Sequence, residues 1–219
     1  MEITRLVDER ASCRAFRPDP VDDAVIDAAF ARAQKAPSWC NTQPWQVHLL
    51  SGEALASFAK VLGEHVATQP QRADLGLPTY TGVHADRRRE AGRQMYAHLG
   101  IAREDHAARG AQMLRNFDFF GAPHLAVLTV DADLGSYGVL DCGGYLATLM
   151  LLLGDAGLGT CALGSLAMYS DVVRSHLGLE DDRLLVCGLA FGHPDSEARI
   201  NDFRTARAPW TEAVTRHVR

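Results

Sequence analysis

The sequence is short of the groups from which a protein builds its own catalytic centre. It has no H-E-x-x-H pair and no cluster of cysteine and histidine, so nothing in it suggests a metal site. It has no P-loop and no G-x-S-x-G elbow, which removes phosphate-cradling NTPases and α/β-hydrolases. The five cysteines, Cys13, Cys40, Cys142, Cys161 and Cys187, are odd in number and never spaced C-x-x-C. They read as reduced thiols of a cytoplasmic protein, packed as small hydrophobes. Cys40 and Cys161 are conceivable nucleophiles, but neither has a readable histidine partner, and the nine histidines are scattered. A basic surplus is also missing: the net charge is −5 and the pI about 6.0, which argues against a nucleic-acid partner. The N-terminus, M-E-I-T-R-L-V-D-E-R, has no apolar core of signal-peptide length. The most apolar stretch, 137–154, is interrupted by Asp141 and closed by Asp155. Its unbroken part, 142–153, is too short to span a bilayer and predicts a buried core helix, so no membrane partner is expected.

What remains is an ordinary globular composition, 47% hydrophobic and 22% charged. It predicts one domain over 1–219, or at most two, large enough to bury roughly 70% or more of its unfolded surface. Residues 1–13 read as a short helix with Ile3, Leu6 and Val7 on one face. Asp22 is placed to cap a helix to about Lys35, with Val25, Ile26, Ala29, Phe30 and Ala33 inward. Trp45, Val47 and Leu49 alternate as in a strand, and 53–66 repeats a helical period. Residues 68–85 read as a long loop, a rarity unless functional, with Tyr80, His84 and Arg87-Arg88-Arg89 as a lid or rim or simply a solvated helix start. Helices over 86–117 break near Gly100. A strand at 124–130, a polar turn at 131–136 and the apolar helix at 137–156 follow, with Gly143-Gly144 permitting close backbone approach. Ser170 caps a helix to about Leu177, and 184–191 is a strand buried on both faces.

Three segments carry binding signals. In A-P-S-W-C-N-T-Q-P-W, 36–45, Pro37 ends a helix and Pro44 extends Gln43. The short polar side chains between two tryptophans suit a flat polar ligand, and equally an ordinary turn-rich loop. In R-x-S-x-R-x-F, 10–16, alternate positions point Arg10, Ser12 and Arg14 one way, which suits an anion or leaves two solvated arginines. G-L-G-T-C-A, 157–162, matches the dinucleotide fingerprint in letters, but a helix precedes it and a β-compatible run follows. Its glycines, with Gly164, read better as letting the backbone near Leu163, Gly164 and Ser165 approach a ligand. Anion-binding arginines and a flat-ligand loop without a catalytic constellation point to a bound cofactor carrying the chemistry.

These residues resemble the nitroreductase family of FMN flavoproteins. The resemblance rests on R-A-S-C-R-A-F at 10–16, A-P-S-W-C-N-T-Q-P-W at 36–45, G-L-G-T-C-A-L-G-S at 157–165 and R-T-A-R-A-P at 204–209. F-F-G-A-P-H at 119–124 and the arginines at 87–89 look like a subgroup that reduces nitrobenzoates and dinitroanilines. The resemblance implies an α+β fold: a mixed β-sheet flanked by helices, in an intertwined homodimer with C-terminal segment exchange. It implies that Arg10 and Arg207, with Arg204 as second candidate, hold the FMN phosphate, and that Ser12 contacts the ribityl chain or phosphate. Arg14 would lie at the pyrimidine edge and tune the flavin electrostatically. Pro37, Ser38, Trp39, Asn41 and Gln43 would reach the partner subunit's flavin, and the backbone near Leu163, Gly164 and Ser165 its reactive edge. Some relatives carry an acid where Gly164 stands, so only a backbone role carries over. The implied activity is NAD(P)H-dependent ping-pong reduction of small nitroaromatic or quinone-like acceptors. Its rivals are a reductive dehalogenase or flavin-destroying enzyme on the same scaffold, and a non-catalytic flavin store or sensor.

Overall fold

The computed structural model describes residues 2–218. Its helices and strands run α1 (Ile3–Glu9), α2 (Asp23–Ala33), β1 (Gln46–Ser51), α3 (Gly52–Thr68), α4 (Gly82–Leu99), α5 (His106–Leu114), β2 (His124–Asp131), α6 (Gly135–Asp155), β3 (Gly159–Leu163), α7 (Ser170–Leu177) and β4 (Arg183–Gly192). The strands pair antiparallel in the order β1-β2-β4-β3. A parallel element enters at the β3 edge, where Ser12 bridges Thr160. β1 and β3 therefore form opposite edges of the sheet.

The sheet divides two apolar layers. On one face Phe58 and Leu62 of α3 and Val173 of α7 pack with Phe119 and Phe120 against Leu125, Val127 and Leu163. On the other, Ile26 and Ala29 of α2 and Cys142, Tyr145, Leu149 and Leu153 of α6 cover Ala126, Leu128 and Leu189. β2 and β4, central and covered twice, are almost wholly buried, as the apolar run at 184–191 predicts. The expected cap holds, since the Asp22 side chain accepts from Ala24 N–H. So does the break near Gly100, which ends α4 at φ +71°.

Three expectations need correction and one needs refining. The stretch 137–154 forms the expected core helix, with Cys142, Tyr145, Leu149 and Leu153 buried, but it is not covered all round. The helical run Ala132–Asp155 is long and apolar enough to cross a membrane by length and composition, but only 28% of its most apolar window is buried. One stripe packs on the sheet, while Tyr137 (55%) and Leu140 (67%) are exposed. The strand alternation fails at Leu49, which is exposed while Leu50 is buried, because β1 is an edge strand and only its Leu50 end is covered by α3. Ser170 does not cap α7 but is its first residue, and its hydroxyl donates to the Arg72 carbonyl (2.9 Å). The first helix stops at Glu9, leaving 10–17 extended along β3 and the chain just past β4, where Phe16 bridges Pro194. Its Ile3 and Val7 are exposed.

Candidate functional site

The segment after α1 docks on the free edge of β3. Cys13 N–H donates to the Thr160 carbonyl (2.8 Å), and Arg17 N–H to that of His193 (2.9 Å). Gly159 makes this approach possible: a Cβ there would fall 2.7 Å from Cys13 Sγ and 2.8 Å from Cys13 Cβ. The docking opens a pocket of about 310 Å³ between this segment, the C-terminal end of α6 and the tail, with Arg10, Ser12, Thr160, Asn201 and Arg204 in its lining.

The charge of this pocket is unbalanced. Its lone acid, Glu9, is taken up by Arg5 at 2.6 Å. Among the described residues, neither Arg10 nor Arg204 of the lining sits in an ion pair, and neither does Arg14, which follows on the same segment outside the lining. Arg204 instead donates to the carbonyls of Asn201 (2.7 Å) and Phe203 (3.1 Å), which holds it at the rim. Guanidinium groups left without carboxylates, Arg10 half-buried and Arg204 exposed at the rim, suit an anion. Arg207 lies elsewhere: it is exposed on the tail and bonds the carbonyls of Thr205 (3.1 Å) and Ala206 (3.2 Å). The neighbouring thiols stay neutral. Burial pushes Cys13 up to about 11 and raises Cys161, with Arg14 only partly opposing it. Neither is a nucleophile at neutral pH.

From Thr160, β3 runs to Leu163 and the chain on to Gly164, roughly 13 Å at the rise of a strand. Leu163 is buried, Ala162 and Gly164 are exposed on the strand edge, and a Cβ on Gly164 would meet nothing within 4 Å. Beside them the Ser165 hydroxyl is buried with no hydrogen-bond partner. An orphaned buried hydroxyl is costly and asks for a ligand atom. The strip thus fits a molecule that is anionic at one end and flat with a polar edge at the other.

The loop 36–45 stands at the opposite edge. It leads into β1, three strand spacings or roughly 14 Å from β3. It also packs on the N-terminal end of α6. Trp39 N–H donates to Asp141 Oδ2 (3.0 Å), and the Trp39 and Tyr137 rings lie 4.4 Å apart. Ser38 Oγ accepts from Gln43 N–H (2.9 Å), and Gln43 Nε2 donates to the Asn41 carbonyl (3.1 Å). Cys40, Asn41 and Gln43 are left-handed, at φ +49°, +56° and +49°. Each such residue costs about 1–2 kcal/mol, and strain of this kind gathers at functional sites. Pro37, Trp39, Asn41 and Gln43 point into open surroundings, with Trp39 58% exposed. Within one chain, then, Arg10, Ser12 and Arg204 come together, Leu163–Ser165 lies along the same strand, and Pro37–Gln43 stands apart.

The arginine run is largely neutralised. Arg87 pairs with Glu212 (2.6 Å) and Arg89 with Asp86, while Arg88 lies 5.2 Å from the Tyr80 ring centroid. α4 begins earlier than expected, at Gly82, and buries no residue, so it covers rather than builds. A wider, more open cleft of about 480 Å³ lies between Arg72–Asp74 and α7, but the Asp74–Arg174 pair (2.9 Å) crosses it and its charges cancel. Two residues at the candidate site escaped the pattern reading. Asp141 registers in sequence only as a break in an apolar run, and Asn201 carries no local signal at all.

With this geometry in hand, comparison with known proteins is direct. A family model described as the nitroreductase family matches residues 7–193. A 4-nitrobenzoate reductase of Pseudomonas putida is 36% identical over 205 residues, 92% of this chain and 89% of that protein. The crystal structure of an FMN and NADPH-dependent nitroreductase, NfnB, from sphigopyxis sp. strain HMH superposes with a TM-score of 0.94 at 36% identity over 100% of both chains. That of the FMN-dependent nitroreductase NfnB from Mycobacterium smegmatis in complex with NADPH gives 0.93 at 37% identity, over 99% of this chain and 97% of that one.

Proposed function

The chain belongs to the nitroreductase family, and from that premise we propose that it is an FMN-dependent NAD(P)H nitroreductase acting on small nitroaromatics and quinone-like acceptors. The observation that carries the reading is the strip along β3: unpaired arginines at one end and the orphaned Ser165 hydroxyl at the other. Bound FMN would supply the redox chemistry, taking hydride from NAD(P)H and delivering reducing equivalents to the acceptor. Arg10, Ser12 and Arg204 would hold the FMN phosphate. Arg14 would supply a positive charge towards the ring, where negative charge develops on reduction. The exposed backbone at Gly164 and the Ser165 hydroxyl would donate to the polar edge of the ring. Nicotinamide and acceptor would take turns at the site, giving ping-pong kinetics.

The functional unit in this reading is an intertwined homodimer of a single domain, 1–219. Support comes from the apolar surface left bare on Ile3, Val7, Trp39, Tyr137 and Leu140, and from the exposed tail beyond Phe203. Docking of two copies would bring Pro37, Ser38, Trp39, Asn41 and Gln43 of one to the flavin site of the other. Exchange of the tail would let Arg207 join the cradle. All five cysteines are free, which suits a cytoplasmic setting. The test is purification: the protein should elute yellow as a dimer and release FMN, not FAD, on heating. A colourless monomer that takes up no FMN would overturn the reading.

A further inference from the structure

Asn201 belongs to none of the motifs, yet its carboxamide is fully committed. Oδ1 accepts from Arg14 N–H (2.7 Å), and Nδ2 donates to the carbonyls of Ala15 (2.8 Å) and Asp195 (2.9 Å). One N–H on one side and two carbonyls on the other fix the orientation of the amide. The main-chain carbonyl of the same residue accepts from Arg204 (2.7 Å). One residue therefore joins the segment bearing Arg10, Ser12 and Arg14 to the guanidinium on the opposite wall of the pocket.

The attachment of that segment does not depend on this side chain. Cys13 N–H to Thr160, Arg17 N–H to His193 and Asp195 N–H to Ala15 (3.1 Å) already hold it to the sheet. What Asn201 adds is the offset between the segment and Arg204. We propose that Asn201 is a positioning residue of the phosphate cradle, which sets Arg204 against Arg10 and Ser12 so that the pocket selects a phosphate-bearing flavin over a phosphate-free one. The proposal rests on the FMN reading above and assigns the selectivity to one side chain whose polar atoms are engaged within the protein.

The experiment titrates apoprotein with FMN and with riboflavin, following quenching of flavin fluorescence. Wild type should prefer FMN. Asn201→Asp sets an oxygen against two carbonyls, and Asn201→Ala deletes the three bonds without adding charge. Both should cut the FMN-to-riboflavin preference about tenfold or more, the worth of a lost charge-assisted hydrogen bond, with riboflavin affinity unchanged. An effect in Asn201→Asp alone would reduce the role to charge and overturn the positioning claim. Equal weakening of both ligands would mean a merely structural role, and an unchanged preference would mean no role; either overturns it. A wild type that binds neither flavin would instead remove the FMN reading, and this inference with it. Should neither variant fold, hydrogen exchange in wild type decides: FMN, and not riboflavin, should slow the Arg14 amide, and equal slowing by both contradicts the proposal.

Discussion

Replacing Ser165 by alanine should move two quantities in opposite directions. The hydroxyl is buried beside the strand edge and has no partner in the protein. A buried unsatisfied hydroxyl costs about 1–3 kcal/mol, so its removal should stabilise the apoprotein by about 1 kcal/mol after allowing for the small void left behind. For a chain of this length that is a rise in Tm of about 2–4 °C. The same hydroxyl should donate to or accept from the bound flavin, so its loss should weaken FMN binding about fivefold, an equivalent free energy. Differential scanning fluorimetry of apoprotein and holoprotein reads both terms at once: the apo melt moves up, and the FMN-induced shift shrinks. A variant whose apo form melts lower, with FMN affinity intact, would refute the argument, because the hydroxyl would then be satisfied within the protein and irrelevant to the ligand.

Three further predictions concern other parts of the molecule. His124 is buried and its Nε2 accepts from Val21 N–H (2.9 Å), which leaves Nδ1 to donate to Ser51 Oγ (2.7 Å). Burial lowers the pKa of His124, and burial followed by the charge of Arg183 lowers that of His48. The unfolded chain then binds more protons, so stability is present above an unfolded value of about 6.5 and is lost as pH falls through it towards the depressed folded values. Tm should fall between about pH 7.5 and 5, and a flat or rising profile would contradict the assignment. Arg14→Ala should lower the flavin reduction potential while the circular dichroism stays native, since one positive charge leaves the pyrimidine edge; an unchanged potential removes Arg14 from the ring. Gln43→Gly should relieve a left-handed strain of about 1 kcal/mol and raise apo Tm, because glycine accepts φ +49° freely; a lower Tm would mean that the Gln43 side chain outweighs the strain.

Much of this architecture was legible in the residues because local physics carries it. Asp22 and Gly100 delimit helices by capping rules, and the unbroken apolar run at 184–191 announces a central strand. The close glycine contacts were not placed by the sequence: at Gly143 and Gly144, expected to permit close backbone approach, a Cβ would meet nothing within 4 Å in the chain. Gly159 is where Cys13 must approach, although the letters of 157–162 imitate a nucleotide fingerprint. What could not be read was whatever depends on long-range register. Asn201 meets Arg14 across 187 positions, and Asp141 meets Trp39 across 102. No periodicity encodes such pairs. The half-covered state of α6 was missed for a related reason: composition alone does not say whether an apolar helix is covered along one stripe or all round. Which arginine faces the pocket was likewise undecidable from spacing, since Arg204 and Arg207 lie three residues apart on an irregular tail.

The central claim is that the strip along β3 holds FMN for hydride transfer to nitroaromatics. Its most direct test is anaerobic: add NADPH to the purified, FMN-loaded protein, follow the oxidised-flavin absorbance, then add 4-nitrobenzoate. Bleaching by NADPH, followed by recovery of the oxidised spectrum and formation of reduced nitrobenzoate products, is the predicted result. A flavin that binds but is bleached by neither NADPH nor NADH would contradict the account.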